Sequence, residues 1–159
     1  IGFFTGKEYI GENHLYPDYR KKVFIDYCDA HDLIYEPYIQ EGVFQISSGY
    51  EMACNLINGG KLPTAIFAAS DPIAFGAIKA FTEHGIHVPE DISIVGFDDI
   101  NMAQFSAPPL TTVSAPAYHM GMYGASILQH LLREHPGPAL KIKLPCKLVV
   151  RNSCKAIEK

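Results

Sequence analysis

Nothing in this 159-residue chain approaches the run of about 20 apolar residues that crossing a bilayer takes. The apolar opening, Ile1-Gly2-Phe3-Phe4, has no basic segment before it and no long apolar core, so it does not read as a signal peptide. Positive charge is scarce: 13 Lys and Arg against 17 Asp and Glu leave a net charge of −4. A surface of that sign repels phosphate, which argues against nucleic-acid binding by this chain alone. Arg20-Lys21-Lys22 is too short for a basic stripe, and no helix-turn-helix pattern occurs. The cysteines Cys28, Cys54, Cys146 and Cys154 form no Cys-x-x-Cys, which excludes a zinc knuckle and a thioredoxin motif. Their even number leaves a disulfide open, but free thiols in a cytosolic protein are the simpler reading. There is no internal repeat and no low-complexity segment.

The signatures of catalysis are missing too. Gly2, Gly6 and Gly11 do not make Gly-x-Gly-x-x-Gly, and Thr5-Gly6-Lys7 lacks the phosphate-loop spacing. Ser70 sits in no Gly-x-Ser-x-Gly elbow. The seven histidines are scattered, and His84 and His87 read as solvated residues flanking a turn. Asp98-Asp99 offers two carboxylates to a metal or to acid–base work. Adjacent side chains at a strand end diverge, however, so the pair reads poorly as one ion site. No catalytic residue, metal or cofactor is expected.

What is present alternates strand and helix. Ile1–Phe4 reads as a buried strand ending at Thr5-Gly6. Tyr19, Val23, Phe24, Tyr27 and Cys28 mark one face of an amphipathic helix. Tyr35–Gln40 reads as a strand, and Pro37 predicts that it lies at an edge, because proline cannot donate to the ladder. Ser48 followed by Glu51 reads as a capping box. The helix it opens turns Met52, Ala53, Leu56 and Ile57 inward and stops at Gly59-Gly60. Ala65–Ala69 is a continuous apolar run of the kind that suits a central parallel strand. Ser70-Asp71-Pro72 is a cap followed by proline. It opens a helix with Ile73, Ala74, Ala77, Ile78 and Phe81 on one side and Gly85 at its end. After the turn Val88–Asp91, Ile92–Phe97 is the next strand, ending at Asp98-Asp99. This order predicts an α/β fold: a Rossmann-like parallel sheet with helices on both faces. Beyond Val113 the pattern changes. Pro116–Glu134 reads as one long helix with Met120, Tyr123, Ile127, Leu128 and Leu131 inward, broken by His135-Pro136-Gly137-Pro138. Leu140–Leu144 and Lys147–Val150 read as two strands split by Pro145.

Ligands of open parallel sheets bind beyond the carboxyl ends of the strands. Four loops qualify: Thr5-Gly6, Gly42–Gln45, Ser70-Asp71 and Asp98-Asp99. A neutral polyol such as a sugar wants charged planar groups for its hydroxyls and an aromatic face for its C–H surface. An arginine, an aspartate and a phenylalanine at separate strand ends supply that set, and no nucleophile is needed.

Three blocks then coincide in order and spacing. Pro63–Asp71 with Ala74-Phe75-Gly76-Ala77, Val88–Asp99 and Pro108–Val113 resemble the corresponding blocks of the LacI/GalR family. The resemblance runs over essentially the whole chain. Asp18-Tyr19-Arg20 and Gly2–Gly6 look closest to its galactoside-responsive members. It implies an effector-binding domain of the periplasmic-binding-protein type, with two Rossmann-like lobes, behind an N-terminal helix-turn-helix headpiece. Carried over residue by residue, the ligand-binding candidates are Asp98, Arg20, Phe44 and Ser70. Asp98 resembles the carboxylate that accepts sugar hydroxyls, and Arg20 the sugar-binding arginine. Phe44 resembles an aromatic that stacks on the ring. Ser70 stands where the family usually has Asn, and a hydroxyl cannot copy both functions of an amide. Each keeps a structural alternative: Asp98 as a turn former, Arg20 as a solvated or paired helix residue, Phe44 as core, and Ser70 as a cap. Asp71 reads as structural only.

The resemblance further implies that residues 1–114 are the C-terminal lobe. Residues 115–146 would be a crossover helix and strand packing on an N-terminal lobe outside this chain. Residues 147–159 would be a returning strand and tail. Alone, the apolar stripe of the crossover helix would be uncovered, favouring self-association or disorder beyond Ala115. The expected partners are a small-molecule effector, a galactoside-like sugar being the first choice, and a second copy. The dimer face would be the Asp71–Gly85 helix with Phe75 and Ile78. Operator DNA would be met only through the headpiece. A cytoplasmic, non-enzymatic regulator follows from this; the alternative is a periplasmic sugar-binding protein of the ribose-binding type.

Overall fold

The computed structural model describes residues 1–10, 14–133 and 140–156. In chain order the elements are strand β1 (Gly2–Gly6), hairpin strands β2 (Glu8–Ile10) and β3 (His14–Tyr16), helix α1 (Tyr19–Ala30), and strand β4 (Ile39–Gly42). Helix α2 (Ile46–Asn58), strand β5 (Ala65–Ala68), helix α3 (Asp71–Glu83), strand β6 (Ser93–Asp98) and strand β7 (Thr111–Ser114) follow. Helix α4 (Ala117–Arg133) and strand β8 (Lys147–Val149) complete the series. The main sheet has six strands in the order β4-β1-β5-β6-β7-β8. The first five are parallel, and β8 runs antiparallel to β7.

Helices cover both faces, as the alternating pattern predicts. Successive strand residues point to opposite sides, and Phe3 and Phe4 show it. Both are fully buried. The Phe3 ring stacks on Phe24 of α1, with centroids 5.1 Å apart. Phe4 belongs instead to the core formed with α2 and α3, together with Met52, Ile66, Ile73, Phe81, Ile94 and Leu110. Each such large side chain, fully buried, contributes about 1.5–3 kcal/mol. The predicted inner residues of α3, Ile73, Ala74, Ala77, Ile78 and Phe81, are all buried. Because β4, β1, β5 and β6 are parallel neighbours, their carboxyl ends lie along one edge. The four loops singled out from the sequence are therefore brought to that edge.

Several local expectations give way to longer-range packing. In α1, Tyr19, Val23 and Tyr27 are exposed; the sheet side is carried by Phe24 and the buried Cys28. The helix is tilted about its axis relative to the face that its apolar spacing picks out. The strand expected at Tyr35–Gln40 is instead a 3-10 turn over Glu36–Tyr38 followed by β4. Pro37 initiates the turn, and β4 is an edge strand as expected. The Ser48–Glu51 capping box does not form. Helix α2 starts earlier, after Gln45, which makes no side-chain cap. The Ser48 hydroxyl accepts from the Val43 N–H at 2.9 Å and pins the preceding loop instead. Residues 140–144 are not a strand, since β7 already takes β8 on its free side. Helix α4 matches its predicted span to Arg133, and Met120, Leu128 and Leu131 on it are exposed. Glu134 and the His135–Pro138 break lie outside the described residues. The four cysteines are free.

Candidate functional site

Arg20 is tied to three separate elements. Helix α1 begins after Asp18, an extended residue whose Oδ1 accepts the Arg20 backbone N–H at 3.0 Å. That is an ordinary helix cap. The same Oδ1 also accepts the Arg20 Nε–H at 2.8 Å. Oδ2 accepts from the buried Thr5 hydroxyl of β1 at 2.7 Å. Arg20 Nη1 donates to the Ala69 carbonyl, just beyond β5, at 2.6 Å. The guanidinium carbon lies 5.5 Å from the Phe44 ring centroid and 5.0 Å from that of Phe97, within cation–π range of both. Phe44 reaches this place because Gly6 has no side chain: a Cβ there would stand 2.5 Å from the ring. Gly6, Glu8, Asp18, Arg20, Phe44 and Phe97 are among the residues lining a cleft of about 240 Å³.

Asp98 sits one loop away. Strand β6 ends on Asp98 with φ +113°, and Asp99 follows with φ +57°, a backbone that few side-chain-bearing residues adopt. Its surroundings over-determine it, as such strain requires. Asp71, fully buried at the start of α3, accepts the Ile100 N–H at 2.8 Å and the Thr112 hydroxyl at 2.5 Å. The Asp99 carboxylate is bound at 2.7 Å by Arg151, whose Nη1 also donates to the Leu110 carbonyl at 2.8 Å. The turn thus presents Asp98 at the mouth of a second hollow of about 570 Å³, shared with Ser114 to His119.

The charges interact. Partial burial and the nearby Asp71 carboxylate push the Asp98 carboxyl above the ordinary range, with Arg20 pulling the other way. Burial pushes Asp71 up, against the bonds from Thr112 and Ile100. For Asp18 burial is outweighed: hydrogen bonds from Arg20 and Thr5 and the Arg20 charge hold its carboxyl below the usual value. A lowered acid pKa contributes stability that is present above the unfolded value of 3.8 and is lost as pH falls through the folded value. Asp18→Asn is therefore expected to lower stability by about 1–2 kcal/mol at pH 7, a difference that vanishes toward pH 2. Thermal melts of both proteins across pH check this.

Of the four residues singled out from the sequence, the structure brings Arg20 and Phe44 into one cleft and places Asp98 beside it, coupled to Arg20 electrostatically. Ser70 is buried and caps α3, its hydroxyl accepting the Ile73 N–H at 3.5 Å. It is not among the residues lining the cleft. Sequence reasoning missed Phe97, and it named Thr5 only as part of a strand-end loop and Asp18 without a role. An Asp ahead of a helix is a visible cap signal. The second bond of the same oxygen, to Arg20 Nε, has no local signature.

A model of the periplasmic binding protein-like domain matches residues 1–154. The chain is 40% identical to the HTH-type transcriptional repressor PurR of Haemophilus influenzae over 123 residues, 76% of this chain and 37% of that protein. It is also 40% identical to the HTH-type transcriptional regulator GalR of Streptococcus thermophilus over 159 residues, 98% of this chain and 47% of that protein. The chain thus spans less than half the length of these relatives. Among solved structures, the transcriptional regulator CelR in complex with cellobiose superposes with a TM-score of 0.82 at 27% identity, over 95% of this chain and 46% of that one.

Proposed function

The chain belongs to the LacI/GalR family as a periplasmic-binding-protein-like effector-binding domain, and from that premise we propose that it binds an uncharged sugar at the carboxyl edge of its sheet and passes that binding on to operator affinity. One observation carries the reading. The Arg20 guanidinium is clamped by Asp18 and Ala69 between two aromatic rings, with its Nη2 donors unclaimed among the described residues. Next to it Asp98 offers a carboxylate that is engaged in no described hydrogen bond. Fixed donors, a fixed acceptor and an aromatic face are what a polyol needs. Binding of this kind needs no bond to be made or broken in the ligand.

In this reading residues 1–114 form the C-terminal lobe and residues 115–146 cross to an N-terminal lobe, against which the exposed apolar face of α4 packs. Residues 147–159 return. Sugar between the lobes favours one relative lobe position over another, and paired headpieces on operator DNA sense the shift in population. A second copy docks on the face of α3. There Phe75, the exposed Ile46 and Met102 and the largely buried Ile78 line a hollow of about 530 Å³. The protein works in the cytoplasm, and among the described residues no helix is long and apolar enough to cross a membrane.

Calorimetric titration of the intact protein with galactosides, glucosides and pentoses tests the assignment. Saturable binding to at least one sugar is expected, weakened about a hundredfold in Asp98→Ala. Because the Asp98 carboxyl is raised, affinity also falls at a higher pH than an ordinary aspartate would dictate. No heat with any sugar, or binding indifferent to Asp98, rejects the reading.

A further inference from the structure

Charge in the cleft is distributed in an unusual way for a site built around an arginine. The single guanidinium, Arg20, is met by Asp18 at 2.8 Å, and that pair is shielded by the Phe44 and Phe97 rings. Two further carboxylates, Glu8 in the cleft and Asp98 beside it, make no ion pair within 4 Å among the described residues, although the Arg20 charge is felt at Asp98. Lys7 and Lys21 turn to a single carboxylate, that of Glu41. Within the cleft one cation, Arg20, stands against two carboxylates, Asp18 and Glu8, and with the surrounding Lys7, Lys21, Glu41 and Asp98 counted in, three cations face four carboxylates. Arg20 keeps its hydrogen-bond geometry, because Asp18 holds Nε and Ala69 holds Nη1. It gives up most of its attraction for an anion.

We propose that Asp18 is a specificity-determining residue: by neutralising and orienting Arg20 it makes the cleft select an uncharged hydroxylated ligand and reject its phosphorylated or acidic counterparts. This rests on the sugar reading for the identity of the ligand and for Arg20 as a donor to it. An arginine without such a partner is a good phosphate binder. With Asp18 at contact distance and two more carboxylates nearby, a phosphate would gain little from Arg20 and be repelled by the rest. Neutral hydroxyls pay no such penalty and use the same donors. Asp18 acts through Arg20 and needs no contact with the ligand.

The test compares wild type with Asp18→Asn, whose amide still caps α1 and matches the carboxylate in size. A second variant, Asp18→Ser, also caps but is too short to hold the Arg20 Nε. Two pairs of probes are titrated into the intact protein: D-galactose beside D-galactose 6-phosphate, and inorganic phosphate beside a chloride control of equal ionic strength. Wild type is expected to prefer the neutral sugar and to show no saturable phosphate binding. Both variants are expected to shift the ratio of neutral to phosphorylated affinity by about tenfold toward the anion and to bind inorganic phosphate measurably. Saturable phosphate binding by wild type that is lost in Arg20→Ala overturns the proposal. An equal loss for both sugars in the variants also overturns it, because Asp18 would then be only a structural cap. If wild type binds no sugar while the phosphate comparison behaves as expected, charge selection stands and the sugar assignment falls.

Discussion

Gly76→Ala is expected to lower the melting temperature by roughly 10 °C. Helices α2 and α3 cross with their backbones in near contact at this glycine. A Cβ on Gly76 would stand 1.9 Å from the Ile46 carbonyl oxygen and 2.6 Å from the Tyr50 nitrogen. The reciprocal glycine, Gly49, would meet the Ile73 carbonyl at 2.1 Å. Both obstacles are backbone, so no rotamer change relieves them, and the helices must part. Overpacking of this kind costs about 3 kcal/mol at its upper end, and a domain of this size loses a few degrees per kcal/mol. Alanine is otherwise the better helix former by roughly 0.5–1 kcal/mol, so Gly121→Ala in α4, with no atom within 4 Å of the added Cβ, is the control. Calorimetric melts that show Gly76→Ala no less stable than Gly121→Ala would overturn the close crossing.

Asp71→Ala is expected to cost roughly 3 kcal/mol and to weaken ligand binding as well. Removing the carboxylate strands the buried Thr112 hydroxyl and the half-buried Ile100 N–H, a buried group left unpaired costing about 1–3 kcal/mol and a half-buried one less. It also frees the turn that holds Asp98 and Asp99 at positive φ, so Asp98 no longer stays where the site needs it. The pH dependence has a definite sign. Burial raises the Asp71 pKa above 3.8, so its contribution is complete below that value and declines as pH rises through the folded pKa. The stability gap between wild type and variant should therefore narrow from pH 4 toward neutrality. Denaturant midpoints across that range check the sign, and calorimetry at pH 7 checks the binding. A gap that widens with pH would mean that Asp71 is held chiefly as an ion.

Much of this was legible in the sequence because the forces involved act over a few residues. Ser70-Asp71-Pro72 announces a capped helix, and Ser70 caps it. The apolar run Ala65–Ala69 announces a strand covered on both sides, and β5 lies inside the sheet. The edge position expected for the second strand holds, though Pro37, from which it was read, lies in the turn before β4. Parallel order then follows from the alternation of strand and helix, and it brings Arg20, Phe44 and Asp98 to one side of the sheet before any coordinate is known.

Other features belong to the tertiary structure alone. Asp18 could be seen as a helix cap, but its hold on Arg20 depends on Thr5 and Ala69 arriving from β1 and β5, the latter 49 residues away. The apolar spacing of α1 pointed to Tyr19, Val23, Phe24, Tyr27 and Cys28 alike, and of these the sheet took Phe24, which stacks on Phe3, and Cys28, leaving the other three exposed. Ser48 had the form of a capping residue and was taken by the Val43 amide instead. Periodicity and capping are set by neighbours along the chain and can be read there. Which of two satisfied arrangements a polar or aromatic side chain adopts is set by partners that only the folded sheet brings within 3 to 6 Å, and there the decision lay with packing.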